Sequence, residues 1–377
     1  MQIYLDNAAT TPLDPEVASV MVETMNGSFG NPSSIHTHGR QAKTIVEKAR
    51  KQIAKLLHAS PSEIFFTSGG TEADNMAIVR SILDFGITHA ITTPIEHHAV
   101  LHTLEELSHN GQIHLDILQI DQQGNIDIEQ LESLLAKNPR TFVSIMHANN
   151  EIGNLTDIKR VSNICHQYNA IYHSDTVQTI GHYQHNLSDL KVDFITASGH
   201  KFHGPKGVGF LYINANNKIK PLIFGGAQER NMRGGTENIY GIAGIAKALE
   251  IAYRDMEEHR MYIQGLKDYM IEQLRIAIPT VRFNGNIEPT QSLYTVLNVA
   301  LPCTEMNDML LFNLDISGIS VSGGSACSSG TNIGSHVLSA INANIDWPSV
   351  RFSFSKYNTK EEIDIVVAKL QEICLAS

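Results

Sequence analysis

Residues 63–83 read EIFFTSGGTEADNMAIVRSIL, and their order decides the fold. Glu63–Thr67 is a short apolar run with strand character, Ser68–Glu72 is a glycine turn, and Ala73–Leu83 carries an amphipathic helical pattern. Paired glycines between a strand and a helix let backbone N–H groups face an anion at the helix N-terminus. The turn is neither GxxxxGK[ST] nor GxGxxG, so nucleoside-triphosphate and dinucleotide readings lose their usual support. Alone, an ordinary strand–helix turn explains it equally well, and the rest of the chain has to decide.

On either side the same rhythm repeats. Ala90–Pro94, Thr141–Ala148, Asn169–Ser174 and Val192–Ala197 read as strands, with helical patterns between most of them, which predicts a largely parallel sheet with helices on both faces. Ligands of such sheets sit outside the carboxyl ends of the strands. Five successive strand ends here are polar and titratable: Thr67–Glu72, Ile95–His98, His147–Glu151, His173–Asp175 and Ala197–Lys201. Upstream, the chain is extended to about Asp14, which caps a helix opening at Pro15. Downstream of Gly235 a long helical pattern runs to about Ile278. Strand-like Ser292–Val299, helical Glu305–Leu314, strand-like Ser349–Ser355 and a last helix Lys360–Cys374 then follow. The expected division is a large α/β domain over 15–255 and a smaller α+β domain made of 1–14 and 256–377, with the N-terminal segment crossing to the latter.

Composition excludes several classes. With 377 residues, 42% apolar and 18% charged, the chain can bury a sizeable core and is neither collagen-like, coiled-coil nor disordered. Lys and Arg number 28 against 39 Asp and Glu, a net charge of −11, so no nucleic-acid partner is expected. No run of about 18 apolar residues and no basic-then-apolar start is present, so the expectation is a cytoplasmic protein without a membrane partner. Cys165, Cys303, Cys327 and Cys374 are too few and too dispersed for a disulfide scaffold or a CxxC zinc site, and free thiols are expected.

The strand ends suggest chemistry. SGHKFHGPKG (198–207) places two lysines in a tight turn; an amine that forms Schiff bases needs desolvation or a neighbouring cation, and this setting supplies both. The residues do not choose between Lys201 and Lys206, and a surface turn with two solvated lysines is the structural alternative. Asp175 could hold a pyridine nitrogen protonated, as pyridoxal phosphate requires, or merely cap a turn. His97 could lie over a planar cofactor and shuttle protons. His98 and His102 share a helix face but lack the glutamate of HExxH and an evident third ligand, so they read as solvent-exposed and no metal site is assigned. Cys327, within Ser322–Gly330, is the reactive-thiol candidate, and the other cysteines read as core or incidental. Arg351 alternates with Phe352 and Phe354 and could fork onto a substrate carboxylate or form an ion pair.

LDNAATT (5–11), GNPSS (30–34), TSGGTEADN (67–75), MHANNEIG (146–153), HSDTVQ (173–178), SGHKFHGPKG (198–207), RGGTEN (233–238) and SGGSACSSG (322–330) together resemble the cysteine desulfurases of iron–sulfur cluster assembly, within the class-V aminotransferase superfamily. The motifs run in family order over essentially the whole chain. The resemblance implies a pyridoxal-phosphate transferase of fold type I, with a mostly parallel seven-stranded sheet flanked by helices plus the smaller domain, acting as a homodimer. It makes Lys201 the lysine that anchors the cofactor. It gives the phosphate to Gly70, Thr71, Ser198 and His200, with Thr236 from the partner subunit. Asp175 pairs with the ring nitrogen, Gln178 with the phenolic oxygen, and His97 stacks and moves protons. Asn150 and Arg351 orient the substrate, L-cysteine, and Cys327 is the nucleophile on which a persulfide remains when alanine leaves. Neighbouring readings are a selenocysteine lyase and an aminotransferase of the same fold; a non-enzymatic sulfur carrier is a third.

SGGSACSSG resembles the group with a long mobile catalytic loop, which implies delivery of sulfur to an acceptor protein such as an iron–sulfur scaffold. Asn332-Ile333-Gly334 lacks the acidic and proline residues common after the cysteine, and Ser355-Lys356 stands where many members have Gly-Arg. The sequence stops at Ser377, where housekeeping members often continue into a scaffold-docking tail.

Overall fold

The computed structural model describes residues 2–302, 307–323, 334–344 and 346–375. In chain order its strands are β1 (Ile3–Tyr4), β2 (Ile64–Thr67), β3 (His89–Thr92), β4 (His114–Ile117), β5 (Thr141–Ser144), β6 (Ile171–Asp175), β7 (Phe194–Ser198), β8 (Gly209–Ile213), β9 (Arg282–Asn284), β10 (Val296–Ala300), β11 (Ile319–Ser320) and β12 (Ser349–Ser353). Seven form a central sheet in the order β2-β8-β7-β6-β5-β3-β4. Only β8 runs against the rest, pairing antiparallel with both β7 and β2. The parallel α/β reading therefore holds, and six strands present their carboxyl ends on one edge.

Helices cover both faces of that sheet, so β2, β3, β5, β7 and β8 are buried along their whole length. Their continuous apolar runs are what a doubly covered strand requires. The core joins Val143, Ile195 and Phe210 of the sheet to Val46 and Ile53 of helix Thr37–Leu56 and to Ile242, Ile245 and Leu249 of helix Ile239–Arg254. Helix Pro15–Gly27 packs on the latter. It starts as expected: Asp14 Oδ1 accepts from the Glu16 N–H at 2.9 Å and Pro15 occupies the first turn.

A second core collects Ile3 and Leu5, Leu266, Met270 and Leu274 of helix Met256–Ala277, Leu297 and Val299 of β10, Phe352 of β12, and Ile363, Val366 and Leu370 of helix Lys360–Leu375. Its antiparallel sheet has the order β12-β10-β9, and β1 pairs in parallel with β11. The N-terminal segment thus lies against strands that follow it by more than 300 residues.

Several sequence expectations shift. The helical pattern after Gly235 is two helices parted at Asp255, whose φ of −109° and ψ of 15° leave the helical region. Ser292–Thr295 does not begin β10; Ser292 bridges Asn154, and the Leu293 N–H donates to Gly153 O. β4 and β9 went unread because they are short and partly exposed, and β8, a fully buried apolar run, was overlooked. Cys165 is a free, fully buried thiol, as a packing cysteine should be. Cys374 is disulfide-bonded, which corrects the expectation of free thiols: sequence distance gives no notice of a pairing made by the fold. Among the described residues no helix is long and apolar enough to cross a membrane.

Candidate active site

The carboxyl ends of β2, β5, β6 and β7 and the loop after β3 open into one cleft of about 820 Å³, solvent mouth included, lined by Gly70, Thr71, His97, Asn150, Asp175, Gln178, Ser198, His200, Lys201 and Arg351. Ala8, Ala9, Asp74, Met146 and Val177 complete the wall. Nearly every residue singled out in the sequence therefore meets at one place. Thr236 does not: it is exposed and borders a separate hollow with Arg233 and Gly235. Cys327 lies outside the described residues.

Each group is placed by the strand or turn that carries it. Gly70 begins helix Gly70–Phe85, and a Cβ there would meet Val177 Cγ2 at 2.8 Å, so glycine keeps the helix N-terminus open toward the cleft. Glu72 secures the preceding turn, accepting from the Ser68 N–H at 3.0 Å and from the Arg233 guanidinium at 2.9 Å. Lys201 ends a short helical turn after β7, and its Nζ donates to Ala8 O at 2.6 Å and Ala9 O at 2.9 Å. A neutral amine can also make both bonds. Lys206 is exposed, so placement separates the two lysines that the sequence left undivided.

Burial sets the electrostatics. Asp175 ends β6, accepts from the Val177 N–H at 2.8 Å, and is pushed up to about 6 by burial, with the Asp74 charge adding to it. Burial likewise raises Asp74 to about 7. His97 caps helix His98–His109 by accepting from the Ala99 N–H on Nδ1 at 3.1 Å. That bond leaves Nε2 as the nitrogen that carries the exchangeable proton. Burial holds His97 below its ordinary value, against the charge of Asp175. Asp74, His97 and Asp175 bring their polar atoms within 4.8 Å of one another. His200, pushed down to about 4 by burial and by Lys201, is neutral and meets Thr10 Oγ1 at 3.2 Å.

Arg351, on β12, is 1% exposed and serves both readings given for it. It ion-pairs with Asp6 at 2.7 Å and donates to Asn150 O at 3.0 Å, yet it lines the cleft. Sequence reasoning missed Asp74, although it sits within the quoted TSGGTEADN, one turn into the helix on the face that the glycine turn exposes. It also missed the Ala8 and Ala9 carbonyls. His98 and His102 stack at 4.5 Å, and His336 comes to 4.5 Å from His98, a neighbour that sequence spacing concealed.

Relatives of known kind share this layout. The family profile described as aminotransferase class-V matches residues 3–366. A protein named cysteine desulfurase IscS from Dictyoglomus turgidum is 44% identical over 99% of this chain and 94% of its own. One of the same name from Methanosarcina thermophila is 42% identical over 98% and 91%. Among solved structures, a NifS-like protein superposes with a TM-score of 0.92 at 38% identity, covering all of both chains. The apo cysteine desulfurase of Thermococcus onnurineus reaches 0.90 at 25% identity over 100% of this chain and 95% of that one. With its motifs in order along the whole length and its polar strand ends in one cleft, this chain belongs to the cysteine desulfurase family of class-V aminotransferases.

Proposed function

We propose that this protein removes sulfur from L-cysteine with pyridoxal 5'-phosphate, leaving L-alanine and a persulfide on Cys327. One observation carries the reading: Lys201, Asp175 and His97 meet in a single cleft that Gly70, at a helix N-terminus, and Arg351 also line. The residues fit the cofactor. Gly70, Thr71, Ser198 and neutral His200 offer an anion site without a fixed positive charge at the imidazole, suited to a phosphate held by hydrogen bonds and a helix dipole. The partner subunit's Thr236 would complete it in a homodimer. Asp175, disfavoured as an anion by burial, gains a counter-charge when a pyridinium nitrogen faces it. Gln178 would meet the phenolic oxygen.

When bound, the cofactor supplies an electron sink next to the substrate Cα. Lys201 would hold it through its amine. His97 would line the ring pocket and hold or move a proton at Nε2. Arg351 and Asn150 orient the substrate carboxylate. The Cys327 thiolate attacks the substrate sulfur; the new S–S bond forms as C–S breaks, and the carbon keeps the electron pair and takes up a proton. The acceptor of the persulfide sulfur is proposed to be a protein such as an iron–sulfur scaffold. The two separate cores support the division of the chain near 255 and a small domain that can carry the Cys327 segment to such an acceptor.

Incubation with L-cysteine without reductant, followed by peptide mass spectrometry, tests this. One added sulfur on Cys327 with release of alanine is expected. An unmodified Cys327 in cofactor-loaded protein would remove the proposal in favour of an aminotransferase.

A further inference from the structure

We propose that His89, His114 and Asp116 form a binding site for a zinc-class divalent cation, at the edge of the central sheet opposite the cleft. The three residues come together through strand register. β3 and β4 are parallel, His89 pairs with His114, and Asp116 follows His114 by two, so all three project from one face. The imidazoles lie nearly parallel, 14° apart with centroids at 5.7 Å. His89 Nε2 is 2.7 Å from Asp116 Oδ2, and His114 Nε2 is 3.5 Å from Asp116 Oδ1. The three ligand atoms all lie within 4.8 Å of one another.

Counting protons leaves a proton or a metal ion to be supplied between His89 and Asp116. Thr141 Oγ1 donates its single proton to Asn138 O at 2.8 Å, so at its 2.9 Å contact with His89 Nδ1 it must accept. His89 therefore carries its proton on Nδ1, and Nε2 turns a lone pair toward a carboxylate. Two acceptors at 2.7 Å require a positive charge between them, either a second proton on the ring or a metal ion. A proton accounts for His89 and one oxygen of Asp116. A divalent ion accounts for the second oxygen and for His114 as well. Fixing the tautomer of a ligating histidine through its other nitrogen is also how proteins orient metal ligands.

The donor set, two imidazole nitrogens and a carboxylate oxygen, suits zinc with water as fourth ligand. Bonds of about 2.0–2.1 Å place tetrahedral ligand atoms about 3.3 Å apart. The His89–Asp116 contact must then open by about half an ångström. Asp116 and His114 have room to adjust, with side chains 29% and 73% exposed, while His89, at 7%, is the fixed ligand. The site lies at the amino ends of β3 and β4, away from the cleft. β4 is bonded on one side only as the last strand of the sheet, and the ion would pin it to β3.

Cofactor-loaded protein, stripped of metal, is titrated with Zn²⁺ against a chromophoric chelator and separately with Co²⁺. Wild-type protein is expected to take up one more equivalent than either His114→Ala or Asp116→Asn, with affinity at that site weakened at least about tenfold in each. The Co²⁺ form should show visible bands of a four-coordinate ion that both variants lack. Metal bound at thiols or in the cleft is common to all three proteins and cancels. Equal stoichiometry, or Co²⁺ spectra unchanged by the substitutions, would overturn the proposal and leave His89 and Asp116 as a hydrogen-bonded pair without an ion. Turnover of cysteine by both variants controls for folding.

Discussion

Asp74, His97 and Asp175 at one edge of the central sheet, and His89, His114 and Asp116 at the other, draw on the same two residue types, two aspartates and a histidine in one and two histidines and an aspartate in the other, and each set gathers its polar atoms within 4.8 Å. Their surroundings differ. In the cleft set both carboxylates are fully buried, and burial pushes Asp175 to about 6 and Asp74 to about 7 while it holds His97 down. Charge is then scarce on each group, and a ligand that brings a cationic ring nitrogen and an anionic phosphate satisfies what the protein leaves unmet. At the opposite edge, water reaches His114 and Asp116. The cleft set is desolvated throughout, whereas two members of the far set stay open to solvent.

The largest expected effects follow from the cleft. Lys201→Ala should reduce cysteine turnover to background and remove the visible absorbance of covalently held cofactor, measured on purified protein after dialysis. Turnover near the wild-type rate would detach Lys201 from the chemistry. His97→Gln keeps a polar group over the cleft but cannot exchange a proton, and should lower kcat by about 10²–10⁴-fold with cofactor still bound. A drop in cofactor affinity without a drop in kcat would make His97 a packing group and bring the two edges closer in kind.

The legible and the hidden parts of the site divide on physical lines. Asp175 was readable because it ends β6, and His97 and the Lys201–Lys206 pair because they lie in turns that follow strands, although only the resemblance divided the two lysines. Gly70 was readable only in company: the glycine turn alone fits an ordinary strand–helix connection equally well, and the polar strand ends around it raised it to a candidate. Asp74 was overlooked because its role depends on which helical face turns inward, and polar Asp74 looks like any surface residue of an amphipathic helix. β8 is an apolar run that reads plainly in retrospect, yet its reversed direction is a matter of sheet order. β4 alternates weakly and is partly exposed, as an edge strand is. The His89–His114 pairing spans a crossover connection, and register of this kind is set by tertiary packing.

A third prediction concerns the charge stored at Asp175. Its value in the folded protein without cofactor, about 6, lies above the ordinary 3.8. The folded state therefore binds this proton more tightly than the unfolded chain. The associated stability is complete below about pH 4 and is lost as pH rises through 6. At neutral pH the penalty is about 3 kcal/mol. Asp175→Asn removes the charge and can still accept from the Val177 N–H. Denaturant unfolding of cofactor-free protein should find the variant similar to wild type at pH 4 and more stable by up to about 3 kcal/mol at pH 7. A difference independent of pH would mean that the carboxylate is compensated before the cofactor arrives.

The smallest effect is expected at the far edge. His114 is mostly exposed and its hold on Asp116 is long, so in metal-free protein His114→Ala should change stability by no more than about 0.5 kcal/mol and leave kcat and KM for cysteine unchanged. Denaturant unfolding and steady-state kinetics in the presence of a chelator measure both. The contrast with His97 is then complete: an exposed histidine can be deleted at little cost, whereas one buried and under the charges of Asp175 and Lys201 cannot. If His114→Ala lowered turnover while the fold stayed intact, the strands would be transmitting a change from their amino ends to the cleft. β3 is the path that would carry it, because it begins at His89 and runs directly into the Ile95–His97 loop.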